Sequence, residues 1–275
     1  MNGNNEHKLS RRDLLEAGIK GCAACMILPM FAGKFEGMEF EEEPKEDYYA
    51  LNKNKYKKMF EESAMGFEQY ITSDVGADKA KQIREQSEAY FDRLYAKLPA
   101  VGGSKNINVV YLIEAASYLA FYPSMQQAGK TARDLGKIFF DMYEQQIEKD
   151  TPEERKKVQD EFFSDKYKKH FKQYAAWTQK NKYPMNWIAE YKEGNGTDFD
   201  WGYDYKRCGI VEFLKSENAS ELAPYICLTD FVKSWVYGTG LERESTIANG
   251  NSICDFRYKR GRKVEKVWEN ELYET

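Results

Sequence analysis

The sequence predicts an α+β fold, in which an N-terminal helical layer is followed by a small antiparallel or mixed sheet with one helix packed against it. Three observations lead to this class. Apolar residues recur at the spacing of a helix face through most of residues 48–183. From Trp201 to Phe213, aromatic and β-branched residues alternate with polar ones instead. Asn249-Gly250 then stands between two alternating runs, which is the sequence signature of a β-hairpin.

Residues 1–33 have the features of an export signal. Arg11 and Arg12 lie in a polar start, and an uncharged run from Gly21 to Gly33 follows. This run is too short to cross a bilayer, so no stable membrane span is expected. The pattern resembles a twin-arginine signal, which implies the twin-arginine translocation machinery as a partner and export to the periplasmic or extracellular face. The alternative is a frayed tail with a chance pair of arginines.

Residues 34–47 predict an acidic linker, and residues 48–275 predict a single domain, helical over 48–183 and α+β over 198–260. Helices are predicted over residues 48–70, 77–98, 107–125, 130–149 and 162–180. The helix over 107–125 is the most apolar and is therefore expected at the centre. Another helix is expected to begin at Thr151, because Thr151 (N-cap), Pro152 and Glu154 together match a capping box with proline at the first position.

Charge and motif content exclude several functional classes. The chain has 41 Lys and Arg against 45 Asp and Glu, a formal net charge of −4, without the clustered positive surplus that nucleic acid or an anionic membrane requires. No dinucleotide or Walker fingerprint is present. His170 is flanked by lysines and is expected at the surface or a boundary, so a histidine-based catalytic pair or metal site is poorly supported. We predict neither a metal nor a cofactor.

The C-terminal stretch contains the densest group of chemically reactive residues. A helix is predicted from Ser220 to Trp235, and it places Cys227 and Asp230 on one side, since residues three apart share a helix face. Cys22 and Cys25 fall inside the predicted signal, so Cys208, Cys227 and Cys254 are left in the mature chain. We expect three unbridged thiols, and the simplest role for each is that of a small buried apolar residue.

The hairpin is predicted to pair residues 241–248 with residues 251–259. The paired residues are then Ser245 with Cys254, Arg243 with Phe256, Glu244 with Asp255, and Glu242 with Arg257. One face, expected to point to the core, carries Leu241, Arg243, Ser245, Ile247, Cys254, Phe256 and Tyr258; the other carries Glu242, Glu244, Thr246, Ile253, Asp255 and Arg257. Because like charges opposite each other destabilise a sheet, Glu244 and Asp255 are expected to use Arg257 as a counter-charge.

Four segments of this stretch match a known pattern in order and spacing. They are Cys208; residues 224–230, with Cys227 and Asp230 three apart; residues 241–250, with Arg243 and Thr246 as Arg-x-x-Thr before a glycine turn; and residues 254–258, which begin Cys-Asp-Phe-Arg. In these segments the chain resembles the 2-aminothiazoline-4-carboxylate hydrolase family. The resemblance covers roughly the last quarter of the chain.

The resemblance implies a small-molecule substrate, a cyclic amidine or thiazoline carboxylate that water opens at the ring carbon between sulfur and nitrogen. Such a reaction requires a nucleophile or base, an acid for the leaving atom and a cation for the substrate carboxylate. The candidate catalytic residues are Cys227, Asp230, Cys254 and Asp255, and the candidate substrate-binding residues are Arg243, Thr246 and Arg257. The alternative is an exported, non-catalytic ligand-binding or interaction protein with the same fold. An enzyme is expected to gather these residues around one pocket.

Overall fold

The computed structural model describes residues 47–265 and Trp268. The predicted signal, with Cys22 and Cys25, and the predicted linker up to residue 46 lie outside the described residues. Across the part that is described, none of the helices is both long enough and apolar enough to cross a membrane.

The helical layer that was predicted from the apolar spacing is present. It consists of α1 (Tyr48–Val75), α2 (Ala77–Tyr95), α3 (Val109–Gln127), α4 (Ala132–Ile147), α5 (Pro152–Phe162) and α6 (Asp165–Thr178). The central position predicted for the apolar helix is confirmed, because α3 is buried on nearly every side. Phe60 and Phe91 stack at 4.1 Å between α1 and α2, and Phe67 contacts Phe121 of α3 at the same centroid distance.

Local capping sets the helix boundaries in the second half of this layer. The capping box predicted at Thr151 is confirmed, since its hydroxyl accepts from the Glu154 N–H and the Glu154 carboxylate accepts from the Thr151 N–H. Residues 162–180 do not form one helix, because α5 ends at Phe162 and Ser164 caps a new helix by accepting from the Tyr167 N–H at 3.1 Å.

A four-stranded antiparallel sheet follows the helices. Its strands are β1 (Ile188–Glu193), β2 (Trp201–Arg207), β3 (Leu241–Glu242) and β4 (Cys254–Tyr258), in the order β1-β2-β4-β3. The α+β class is therefore confirmed, with a sheet that is antiparallel throughout. The strand β1 was not predicted; it continues the sheet next to α6, whose Thr178 hydroxyl accepts from the Ala189 N–H at 3.0 Å.

Two elements near the sheet differ from the prediction. β2 ends at Arg207 and not at Phe213, because Cys208 begins α7 (Gly209–Ser216), in which Phe213 and Leu214 are buried. Gly209 is needed there, since a Cβ at this position would lie 2.7 Å from the Trp187 ring. The helix expected over residues 220–235 is divided into a 3₁₀ turn (Ser220–Leu222), α8 (Ala223–Cys227) and α9 (Thr229–Tyr237).

The predicted hairpin is correct in its register and wrong in its turn. Leu241 pairs with Tyr258 and Glu242 with Arg257, as expected. β3 then stops, because side-chain hydrogen bonds replace the ladder. Asp255 accepts from the backbone N–H of Ser245 at 2.7 Å, so Ser245 does not face Cys254 as predicted. A 3₁₀ turn at Ile247–Asn249, with Gly250 at φ 86°, takes the place of the two-residue turn.

Three predictions about the surroundings of single side chains are also corrected. Arg257 does not neutralise Glu244, which is exposed; its guanidinium lies 2.8 Å from the carboxylate of Asp204 on β2. Thr246, expected on the outer face, is buried and caps the 3₁₀ turn by accepting from the Asn249 N–H. His170 is buried rather than at the surface, because α6 packs this face against the rest of the domain.

Candidate active site

A cavity of about 110 Å³ lies between α3, α9 and the inner face of the sheet. Its walls are mainly aromatic and come from β2, β4 and α6, and its polar groups come from α3, α8 and α9. Immediately before α3, the side-chain amide of Asn108 donates to the hydroxyls of Tyr174 at 3.1 Å and Tyr205 at 2.7 Å. The bond to Tyr205 joins the helical layer to the sheet, and the cavity lies at this junction.

The structure brings together part of the predicted set. Cys227, Asp230 and Cys254 line the cavity, and Cys208 lies there as well. The fourth candidate catalytic residue, Asp255, is not among the lining residues, because its carboxylate is held by the Ser245 N–H and hydroxyl. The candidate substrate-binding residues Arg243, Thr246 and Arg257 do not line the cavity either.

Arg243 does not line the cavity itself but holds the carboxylate of Asp230, which does. Its Nη1 is 2.7 Å from Asp230 Oδ2, and its Nη2 donates to the backbone carbonyl of Cys227 at 2.9 Å. The guanidinium is 5.0 Å from the centroid of the Phe231 ring and 4.8 Å from that of Phe256, so the cation is held between two aromatic rings. The Arg243 side chain is only 2% exposed, whereas that of Asp230 is 31% exposed. Arg243 therefore fixes the carboxylate that faces the cavity.

The three thiols are unbridged and protonated near neutral pH. Burial raises the pKa of Cys227 well above its ordinary value, even though Arg243 opposes the shift. Burial likewise raises the pKa of Cys208 to about 12. The pKa of Cys254 is raised by burial too, although the Ile247 N–H donates to its sulfur at 3.2 Å. Arg243 therefore does not stabilise a thiolate at Cys227, because desolvation of the sulfur outweighs the nearby cation.

Two ionisable residues of the cavity were missed by the sequence reasoning. Glu114 of α3 is 4% exposed and lines the cavity. Burial raises the pKa of its carboxyl group to about 8, with Lys233 opposing the shift and Asp230 adding to it. Lys233 of α9 also lines the cavity, with its ammonium 4.7 Å from the centroid of the Tyr111 ring. Burial lowers the pKa of Lys233, while Asp230 and Glu114 oppose the shift.

The sequence did contain a signal for both residues. Glu114 is the one carboxylate within the apolar helix predicted over residues 107–125, and a charged residue inside a fully buried helix requires a specific reason. Lys233 follows Asp230 by three residues, so it lies on the helix face already singled out.

No metal site is evident in the described ranges, which contain no group of three or more His, Cys, Asp or Glu residues arranged to hold an ion. The three cysteines share one cavity without forming such a group.

Comparison with known proteins identifies the family. The family model described as L-2-amino-thiazoline-4-carboxylic acid hydrolase matches residues 110–258, more than half of the 275-residue chain. The chain belongs to this hydrolase family. Neither the curated proteins nor the solved structures contain a match. The region that matches the hydrolase family contains Glu114, Asp230 and Lys233, and it extends the resemblance seen at the C-terminus into the helical layer.

Proposed function

We propose that this hydrolase opens a small cyclic amidine or thiazoline carboxylate, of the 2-aminothiazoline-4-carboxylate type, by attack of water on the ring carbon between sulfur and nitrogen. The observation that carries the proposal is the Asp230–Arg243 pair at the wall of the cavity. Asp230 presents its carboxylate to a largely apolar space, and Arg243, which does not line the cavity, holds that carboxylate in place. A carboxylate fixed in this way is suited to accept a proton from an attacking water.

In the proposed reaction, Asp230 takes one proton from water while the oxygen forms a bond to the ring carbon. The tetrahedral intermediate then collapses, one carbon–heteroatom bond of the ring breaks, and the leaving sulfur or nitrogen receives a proton. The product is the substrate plus one water, with the ring open. We assign the attack to water and not to a thiolate, because the pKa values of Cys227 and Cys254 are raised. The two cysteines contact the ring as neutral thiols.

The remaining candidates receive supporting roles in this proposal. Asp255 and Thr246 hold the loop after β3 through the Ser245 N–H and the Asn249 N–H. That loop positions Arg243, which in turn positions Asp230. Arg257 supports the outer face of the sheet through Asp204.

The test is hydrolysis of L-2-aminothiazoline-4-carboxylate by the purified protein, followed by mass spectrometry for the ring-opened product. The variant Asp230→Asn removes the proposed base, and the matched control variant is Asp204→Asn, which removes a buried carboxylate that does not line the cavity. Turnover that is lost in Asp230→Asn and kept in Asp204→Asn supports the assignment. Tight binding of the ring without turnover in the wild type would instead favour the alternative, a non-catalytic ligand-binding protein.

We also propose that the protein is exported by a twin-arginine-type signal. The support is the sequence of residues 1–33, with Arg11-Arg12 ahead of an uncharged run. Replacing both arginines by lysine keeps the charge and is expected to leave the precursor in the cytoplasm. Fractionation of cells that express each form measures this, and equal export of the two forms would refute the proposal.

A further inference from the structure

The cavity has further polar groups besides the Asp230 carboxylate. On α3, Asn108, Tyr111 and Glu114 follow each other at three-residue intervals and line one wall. On α9, Asp230 and Lys233 line the wall that faces them. Residues three apart lie on the same side of a helix, so each helix turns a continuous polar strip toward the cavity.

Glu114 is a buried carboxyl group with an unused oxygen. It is 4% exposed, it lines the cavity, and its Oε1 has no hydrogen-bond partner among the residues that the structure describes. Leaving such a group unsatisfied costs about 1 to 3 kcal/mol, so buried polar atoms are nearly always paired. An unpaired carboxyl oxygen at a cavity wall is therefore available to pair with a molecule bound in the cavity.

The ammonium of Lys233 lies near two aromatic rings. It lies over the Tyr111 ring at 4.7 Å and 5.8 Å from the centroid of the Tyr143 ring. Asp230 and Glu114 are near enough to favour its charged form, but the Asp230 carboxylate is paired with Arg243, and none of the described carboxylates forms a salt bridge with Lys233. Contact with aromatic rings stabilises the ammonium only modestly, so it remains available for an anionic ligand.

We propose that Lys233 binds the carboxylate of the substrate and that Glu114 gives its proton to the ring atom that leaves. This inference rests on the proposed function and deepens it, because it selects anionic substrates and supplies the acid that the reaction needs. Asp230 and Glu114 then carry out separate proton transfers. Asp230 receives a proton from water as the new C–O bond forms, and Glu114 delivers a proton as the ring bond breaks. Solvent returns the proton from Asp230 to Glu114, so protons and electrons balance over the cycle.

The electrostatic surroundings agree with an acid that carries its proton. The titratable groups that act on Glu114 are Lys233 and Asp230 from α9, and it in turn influences Tyr143 from α4 and Tyr111 from its own helix. Burial dominates and raises the pKa of Glu114 to about 8, so the carboxyl group is mostly protonated at neutral pH. The negative charge of a bound substrate carboxylate favours that protonated form further.

Binding measurements test the role of Lys233 without depending on turnover. Calorimetry with Asp230→Asn, which is expected not to consume the ligand, compares 2-aminothiazoline-4-carboxylate with 2-aminothiazoline, which lacks the carboxylate. We expect the Lys233→Met change in this background to weaken binding of 2-aminothiazoline-4-carboxylate at least tenfold and not to weaken binding of 2-aminothiazoline, which lacks the carboxylate. Lys233→Arg should restore most of the preference, and Lys206→Met, on the outer face of the sheet, is the control. An unchanged preference in Lys233→Met overturns the assignment.

A pH profile tests the role of Glu114. In the wild type, kcat is expected to fall as the pH rises through about 8, because the acid loses its proton. Glu114→Gln keeps the shape of the side chain but has no proton to give, so kcat should fall about 100-fold or more and the limb near pH 8 should disappear. Thermal unfolding of the variant checks that it folds. If Glu114→Gln reacts at the wild-type rate, the proton-donor role of Glu114 is overturned and the proposed function stays intact. If the wild type shows no turnover, the proposed function itself is refuted. In that case the calorimetry still decides whether Lys233 binds the carboxylate.

Discussion

Two of the arginine–aspartate pairs in the C-terminal part of this protein are built in opposite ways. Arg243 pairs with Asp230 at 2.7 Å on the cavity side, and Arg257 pairs with Asp204 at 2.8 Å on the outer face of the sheet. In the first pair the arginine side chain is buried, at 2% exposure, and the aspartate side chain is partly exposed, at 31%. In the second pair the aspartate side chain is buried, at 8% exposure, and the arginine side chain is partly exposed, at 25%. Only the first arrangement offers a carboxylate to a ligand.

The largest expected difference between the pairs is in catalysis. Asp230→Asn should lower kcat by a factor of about 100 or more, because general bases contribute factors of about 10² to 10⁴. Asp204→Asn should leave kcat within about threefold of the wild type, since Asp204 points away from the cavity. Steady-state kinetics with the thiazoline carboxylate measure both. A similar loss in the two variants would mean that the pairs do not differ in the way proposed.

The next difference is in stability. Arg243→Met leaves Asp230 without its cation and empties a site between two rings, so the free energy of unfolding should fall by about 3 kcal/mol. Arg257→Met should cost less than about 1 kcal/mol, because its guanidinium is partly exposed and Asp204 keeps the Lys192 ammonium at 3.1 Å. Urea unfolding of both variants gives the comparison. Equal losses would show that the exposure of the arginine does not set its contribution.

Glu114 extends the comparison to a carboxyl group without an arginine partner. Its pKa is raised from an ordinary 4.5 to about 8 by burial. The folded state therefore binds a proton more tightly than the unfolded state, and stability that is present below pH 4.5 is lost as the pH rises toward 8. Glu114→Gln should remove this loss, so the variant gains stability over the wild type as the pH increases. Unfolding free energies at several pH values between 4.5 and 8 measure it, and parallel curves would contradict the shift.

The smallest expected effect concerns the thiols beside the first pair. Because burial raises the pKa of Cys227 despite Arg243, alkylation of the native protein at pH 7 should be slow and should accelerate steeply only at alkaline pH. Peptide mass spectrometry after timed exposure to iodoacetamide reports on Cys208, Cys227 and Cys254 separately. Rapid modification of Cys227 at pH 7 would restore a thiolate mechanism at the Asp230 end of the cavity.

The sequence was informative where local pattern and tertiary context agree. The helical layer, the capping box at Thr151 and the pairing of Leu241 with Tyr258 follow from apolar spacing, side-chain caps and strand alternation. Agreement of this kind is common in well-packed regions. The gathering of Cys227, Asp230 and Cys254 around one cavity was also predicted, although Cys227 ends α8 and Asp230 lies in α9, so that the two residues do not share one helix face as expected.

The rest depended on contacts that no short pattern encodes. Residues 243–253 leave the ladder because Asp255 and Thr246 cap backbone N–H groups, and such bonds compete with strand pairing at nearly equal energy. The strand β1 is defined by its partner β2 and not by its own composition. The roles of Arg243 and Lys233 depend on which aromatic rings surround each side chain, and that is fixed only when α3, α9 and the sheet pack together.

The burial of α3 has a consequence for where this protein can be divided. The family match begins at residue 110, at the start of α3, yet one side of that helix is covered by Phe60 and Phe67 of α1, which lie before the match. A fragment that starts at residue 110 would lose the contacts of Phe60 and Phe67 with the Phe121 ring and expose more of that ring to water. The autonomous folding unit is therefore larger than the matched region, and α1 and α2 act as a structural brace that any minimal active fragment must retain.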